Sequence, residues 1–188
     1  MKAETILLNG ARNVTLTAYI QEVDGEFGFT KRPAMLVIPG GGYAMCSDRE
    51  GDPVAMAYLK AGYQAFVLRY TVKSNGGWPH PLNDYEQAMA LIAEKADEWH
   101  IDPAKIAVAG FSAGGHLAAC AATMAEHKPA AAVLVYPAIL KDIVDMCQPG
   151  MPYPYQHVTP ETCPCFLVAA QDDRTVDIKN TLTMGLAL

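Results

Sequence analysis

The sequence has no run of basic residues; Lys and Arg are scattered along 188 residues whose formal charge is −6. That excludes the electrostatic footprint of a nucleic-acid binder and gives no attraction to an acidic membrane. No stretch of about 20 apolar residues is present to span a bilayer. The N-terminus has one short apolar stretch ended by Asn9-Gly10, and lacks the apolar core and small-residue cleavage site of a signal peptide. Neither GxxxxGK[ST] nor GxGxxG occurs, which argues against a phosphate-binding loop. Metal-ligand spacing is missing too. Cys46, Cys120, Cys147, Cys163 and Cys165 are odd in number, and Cys163-Pro164-Cys165 has no second pair of ligands at zinc-site distance. Free thiols in a reducing cytoplasmic compartment are therefore expected.

What is present suits one globular domain over 1–188, with 51% hydrophobic and 18% charged residues. Thr5–Leu8 and Val14–Gln21 read as strands around the turn signal at 9–13. The second alternates Val14, Leu16, Ala18 and Ile20 with more polar neighbours, as a half-buried antiparallel strand does. A Gly- and charge-rich turn follows. Then Ala34–Ile38 begins a series of continuous apolar runs, repeated at Tyr63–Tyr70, Ile106–Ala109, Ala131–Tyr136 and Cys165–Ala170, that mark strands buried on both faces. Helices fall between them: Pro53–Ala61, Pro81–Trp99 with Asn83 or Asp84 as its cap, and the Ala-rich Ala113–Glu126. Asp102-Pro103 reads as a cap and first helical residue, a short turn before the next strand. This alternation predicts an α/β fold, a mostly parallel sheet with an antiparallel N-terminal pair and helices on both faces. Pro137–Thr162 holds five prolines and no long period, as a functional lid or binding loop does.

Gly110-Phe111-Ser112-Ala113-Gly114 matches GxSxG, a weak pattern alone. Here it follows an apolar run and opens a helix, the strand–turn–helix setting of a nucleophile elbow. The helix N-terminus favours negative charge developing nearby. Pro39-Gly40-Gly41-Gly42-Tyr43 directly follows another buried strand. Its glycines allow backbone N–H groups to approach a tetrahedral oxyanion, with the N–H of Ala113 as companion donor. In the chain order Ser…Asp…His the acid follows a later strand, which leaves Asp172 and Asp173 as candidates.

These motifs resemble the small α/β hydrolases known as carboxylesterases and acetyl or acetylxylan esterases. The resemblance rests on Pro39–Tyr43, Ser47–Pro53, Ile101–Ile106, Gly110–Leu117 and Asp172–Val176, and covers nearly all of the chain from about residue 30. It implies an α/β-hydrolase fold, Ser112 as nucleophile, and Gly41, Gly42 and Ala113 as oxyanion donors. It selects Asp173 over Asp172, because the family acid stands three residues before a valine, here Val176. It also implies ester hydrolysis through an acyl-enzyme, with no metal and no organic cofactor, and with small acyl groups, often acetyl on carbohydrate, as substrates. Tyr43, Tyr153 and Tyr155 are candidates to touch a sugar ring, and His80 to touch substrate.

The base is missing from this order. The catalytic histidine belongs after one further strand, and the residues after Asp173 read as a helix, Asp177–Leu188, without histidine. His116 falls one helical turn after Ser112 and should pack beneath it. His100 and His127 end helices away from the site, and His157 lies in the proline-rich connection. The chain thus reads as C-terminally incomplete, its last strand and helix missing, with Cys165–Ala170 left as an exposed edge where Leu167 and Val168 lose cover and a homo-oligomer could form. The competing reading is a non-catalytic binding or interaction protein of the same fold.

Overall fold

Residues covered on both faces of a sheet must be apolar throughout, and four of the five continuous apolar runs form inner strands, the fifth, at Cys165–Ala170, forming an edge. In the computed structural model, which describes residues 1–23, 28 and 30–188, seven strands lie in the order β1-β2-β4-β3-β5-β6-β7. They are β1 (Lys2–Asn9), β2 (Val14–Ile20), β3 (Arg32–Ile38), β4 (Gln64–Arg69), β5 (Ile101–Phe111), β6 (Ala132–Val135) and β7 (Cys165–Val168). The β1–β2 and β2–β4 pairs are antiparallel; all pairs from β4 to β7 are parallel. The turn expected between β2 and β3 falls largely on residues 24–27 and 29, outside the described residues.

Helices α1 (Asp52–Lys60), α2 (His80–Glu94), α3 (Ala113–Met124), α4 (Lys141–Cys147) and α5 (Lys179–Ala187) surround the sheet. On one face Ala55 and Leu59 of α1 pack with Met35, Val37, Ala65 and Val67. On the other, Tyr85 and Ile92 of α2 and Leu117 of α3 join Leu36, Ile38, Phe66 and Leu68. The alanines let α3 lie close to the sheet, so that every residue from Ala113 to Thr123 is buried.

Several local expectations fail for identifiable reasons. Asn83 and Asp84 do not cap α2, which begins at His80 with proline in its first turn. Asp84 is instead buried. Its carboxylate accepts the Thr71 N–H at 2.8 Å and an Arg12 guanidinium N–H at 2.9 Å, partners that no local pattern shows. The same helix ends at Glu94, and Lys95–Trp99 continues as turns. Asp102-Pro103 starts no helical turn. β5 already runs from Ile101, and its register with β3 shifts between Arg32↔Ile101 and Ala34↔Ile106, bulging the segment over an Asp102 side chain that accepts the Ala104 N–H at 3.1 Å. The proline-rich connection contains α4. At the edge, β7 leaves Val168 uncovered as expected, but turns Leu167 toward the core and exposes Phe166 (63%) in its place.

Parallel pairing fixes where chemistry can occur. The register Ile38↔Gly110, Phe111↔Val135 and Val135↔Val168 brings the carboxyl ends of β3, β5, β6 and β7 to one edge of the sheet, where ligands bind in open α/β folds.

Candidate active site

Ser112 sits between β5 and α3 at φ 53 and ψ −115, a conformation that is strained for any residue with a Cβ. A Cβ on Gly114 would lie 2.1 Å from the Ile38 carbonyl oxygen, and one on Gly110 2.3 Å from that of Gly114. The turn closes only because both are glycine. Neighbouring strands hold it: the Ser112 N–H donates to the Val135 carbonyl (3.0 Å), and the Ser112 carbonyl accepts from the N–H groups of His116 (2.9 Å) and Ala138 (3.0 Å).

Beside it runs the loop Pro39–Tyr43. The N–H of Ser47 donates to the Gly40 carbonyl at 2.9 Å, and those of Ala44 and Met45 to the Gly41 carbonyl at 3.0 and 3.3 Å. In a trans peptide the N–H points opposite to the C=O, so these bonds turn the N–H groups of Gly41 and Gly42 the other way. No acceptor among the described residues takes either of them. Gly41 has φ 128 and Gly42 φ 60, values that suit glycine. Ala113, first in α3, offers an N–H without an intrahelical acceptor.

The acid candidates separate in space. Asp173 accepts the N–H groups of Thr175 (2.8 Å) and Val176 (3.0 Å) on Oδ1, while no hydrogen bond from the described residues reaches Oδ2. It lines a cavity of about 820 Å³ together with Ser112, Gly41 and Gly42. Asp172 is exposed and lies outside that lining.

Tyr43 does not face this cavity. Its φ of 57 sends the ring into the core at 1% exposure, where the hydroxyl donates to His116 Nδ1 at 2.8 Å. A sugar ring cannot reach it there. The Pro152 carbonyl, 2.8 Å from His116 Nε2, can only accept, so that nitrogen carries the proton and Nδ1 accepts from Tyr43. Burial lowers the His116 pKa to about 4, and with both nitrogens engaged the ring is a strut rather than a base for Ser112. His80 opens α2 and is absent from the cavity lining, so the substrate contact expected of it is not formed there. His127 pairs with Glu86 at 2.7 Å, His100 stands 3.9 Å from Glu22, and His157 is exposed; none lines the cavity. Tyr153 and Tyr155 also stand outside it.

Three residues that carry the site's geometry were given no role from the sequence. Glu50 is buried beside the glycine loop and receives the hydroxyl of Tyr136 at 3.0 Å. Burial, then the Glu50 carboxylate, raise the Tyr136 pKa to about 12, so it stays a donor. Asn180 of α5 accepts the N–H groups of Ile139 and Leu140 at 2.8 and 2.7 Å, tying the helix after Asp173 to the chain after β6. The described residues contain no cluster of His, Cys, Asp and Glu suited to a metal, and the cysteines are free.

A family profile described as BD-FAE matches residues 26–138, more than half of the chain. The chain belongs to the BD-FAE family. The crystal structure of MGS-M1, an α/β hydrolase from a Medee basin deep-sea metagenome library, is 43% identical and superposes with a TM-score of 0.91, over 100% of this chain and 76% of that one. The fold is therefore that of the α/β hydrolases. Among curated relatives, endo-1,4-β-xylanase B of Butyrivibrio fibrisolvens is 31% identical over 92% of this chain and 31% of its own length. An acetylxylan esterase of Xylanibacter ruminicola is 31% identical over 77% of this chain and 34% of its own. This BD-FAE chain thus spans about a third of the length of the curated relatives it matches. The name of the acetylxylan esterase supports carboxylic ester hydrolysis as chemistry of the family.

Proposed function

We propose that this chain carries the site of a serine carboxylesterase that cleaves small-acyl esters, chiefly acetyl, with acetylated carbohydrate as the natural substrate class. The observation that carries the reading is Ser112 at a strained strand–helix turn, sharing one cavity with Gly41, Gly42 and Asp173. Ser112 Oγ attacks the ester carbonyl. The oxygen takes the negative charge, facing the N–H groups of Gly41, Gly42 and Ala113, and collapse expels the alcohol and leaves an acyl-serine that water hydrolyses. The serine proton must pass to a base and from it to the leaving alcohol. An imidazole on Asp173 Oδ2 would serve, and none of the five histidines stands there. A chain of these 188 residues is therefore expected to turn over slowly, and added imidazole to accelerate it. The free thiols suit the cytoplasm, where we place the protein; among the described residues no helix is long and apolar enough to cross a membrane.

Hydrolysis of p-nitrophenyl acetate, measured with and without imidazole in wild type and Ser112→Ala, tests the reading. Imidazole-dependent release above the rate with imidazole alone, lost in Ser112→Ala, supports it; the same excess, or none, in both proteins defeats it. The histidine-free cavity favours one alternative, a non-catalytic carbohydrate-ester binder. That reading predicts saturable binding of acetylated xylo-oligosaccharide with no Ser112-dependent hydrolysis even with imidazole present.

A further inference from the structure

Glu50 ends the short turn Asp48–Glu50 that leads from the glycine loop toward α1. It is only 7% exposed, and the nearest cation, the guanidinium of Arg49, is 3.9 Å away on a side chain 87% exposed to water. A carboxylate buried with so little charge compensation is costly to keep. Its surroundings show what it holds. Oε2 accepts the Gly40 N–H at 2.9 Å, while Oε1 accepts the Tyr136 hydroxyl at 3.0 Å.

Both partners belong to the site. The Pro39–Gly40 peptide immediately precedes the oxyanion glycines and is gripped at both ends. The Tyr70 hydroxyl donates to the Pro39 carbonyl at 2.9 Å, and Glu50 takes the N–H on the opposite side. Gly40 also rests on the elbow. A Cβ there would meet the Phe111 carbonyl oxygen at 2.6 Å, Glu50 Oε2 at 2.8 Å and the Ser112 Cβ at 3.0 Å. Tyr136 follows β6 at φ 36, one residue past Val135, whose carbonyl receives the Ser112 N–H. One carboxylate therefore ties the loop carrying the oxyanion donors to the strand end that holds the nucleophile.

We propose that Glu50 is a positioning residue of the oxyanion hole: through the Gly40 N–H and the Tyr136 hydroxyl it sets the Gly41 and Gly42 amides against Ser112. This rests on the esterase reading above. It requires one group that accepts the Gly40 N–H and a second that hydrogen-bonds the Tyr136 hydroxyl in either sense, not a negative charge. Glutamine satisfies it, since its carbonyl accepts the Gly40 N–H and its amide donates to the Tyr136 oxygen.

The test compares wild type, Glu50→Ala and Glu50→Gln in the 188-residue chain, reading Ser112-dependent p-nitrophenyl acetate hydrolysis with imidazole present. Displacing oxyanion donors by an ångström costs on the order of 10²-fold in rate, because the loss falls on the transition state. Glu50→Ala should lower kcat by about 10- to 100-fold with KM changed by less than about threefold, and Glu50→Gln should restore kcat to within about fivefold of wild type. An unchanged kcat in Glu50→Ala, or equal losses in the two variants, overturns the proposal. Absence of Ser112-dependent hydrolysis in wild type would sink the esterase reading instead. Glu50 is then judged by ¹⁵N relaxation at Gly41 and Gly42, whose order parameters should fall from about 0.85 to below about 0.6 in Glu50→Ala only; equal order in all three proteins refutes the positioning role. If Glu50→Ala does not fold, Tyr136→Phe, which removes one of the two bonds, should lower kcat about 3- to 10-fold, and no loss refutes the link.

Discussion

Replacing Ser112 with glycine should make the protein more stable while destroying its chemistry. The serine is held at φ 53 and ψ −115, where the Cβ clashes with its own backbone. Such a conformation costs about 1–3 kcal/mol. Glycine adopts it freely but gains conformational freedom in the unfolded chain, which returns about 0.5–1 kcal/mol of the benefit. No capping bond is lost, since the Ser112 side chain does not cap α3. Taking the middle of each range, the net expectation is about 1 kcal/mol of added stability, or roughly 2–4 °C in Tm for a chain of this size. Ser112→Ala is the internal control: it keeps the Cβ and the strain, so its stability should stay within about 0.5 kcal/mol of wild type. Urea titration and thermal melts followed by circular dichroism measure all three proteins. A glycine variant no more stable than the alanine variant would refute the claim that the elbow stores strain.

Other outcomes follow from the same geometry. Asp173→Asn should lower imidazole-assisted, Ser112-dependent hydrolysis at least about tenfold and Asp172→Asn less than about twofold, by initial rates; the reverse order would move the acid. Gly41→Ala should reduce kcat by about 10²-fold, because the new Cβ would meet the Met45 carbonyl oxygen at 2.3 Å in a backbone at φ 128; near-normal turnover would remove Gly41 from the oxyanion hole. Burial holds His116 at a pKa of about 4, below its ordinary 6.5, so the unfolded chain binds a proton between these values that the folded chain refuses. Its contribution is intact above about pH 6.5 and lost as pH falls toward 4, by about 3 kcal/mol in all. Denaturant titrations of wild type and His116→Gln across that range should show a shallower slope in the variant, and parallel slopes would contradict the assignment.

The parts of the molecule legible in the sequence were those set by local chemistry. Apolar runs such as Ala34–Ile38 announce strands covered on both faces, and GxSxG between a run and a helix announces the elbow. What escaped depends on contacts between distant residues. Asp84 looks like a helix cap until Arg12, 72 residues away, takes its carboxylate. Tyr43 adjoins the oxyanion glycines in sequence, yet the positive φ at which the loop turns sends its ring toward His116 rather than substrate. Glu50 lies inside a motif that had no assigned role, because its partner Tyr136 is 86 residues further on. The start of β5 was hidden by Asp102-Pro103, a pair that locally suits a helix start and here sits in a bulge beside β3.

The identity of Ser112 as the nucleophile is open to direct measurement. The measurement is reaction of the 188-residue chain with diethyl p-nitrophenyl phosphate in imidazole buffer, followed by mass spectrometry of the tryptic peptide Ile106–Lys141 that carries this serine. The expected result is a single phosphoryl adduct localised to Ser112 and absent from Ser112→Ala. An adduct on another residue, or equal labelling of both proteins, would contradict it.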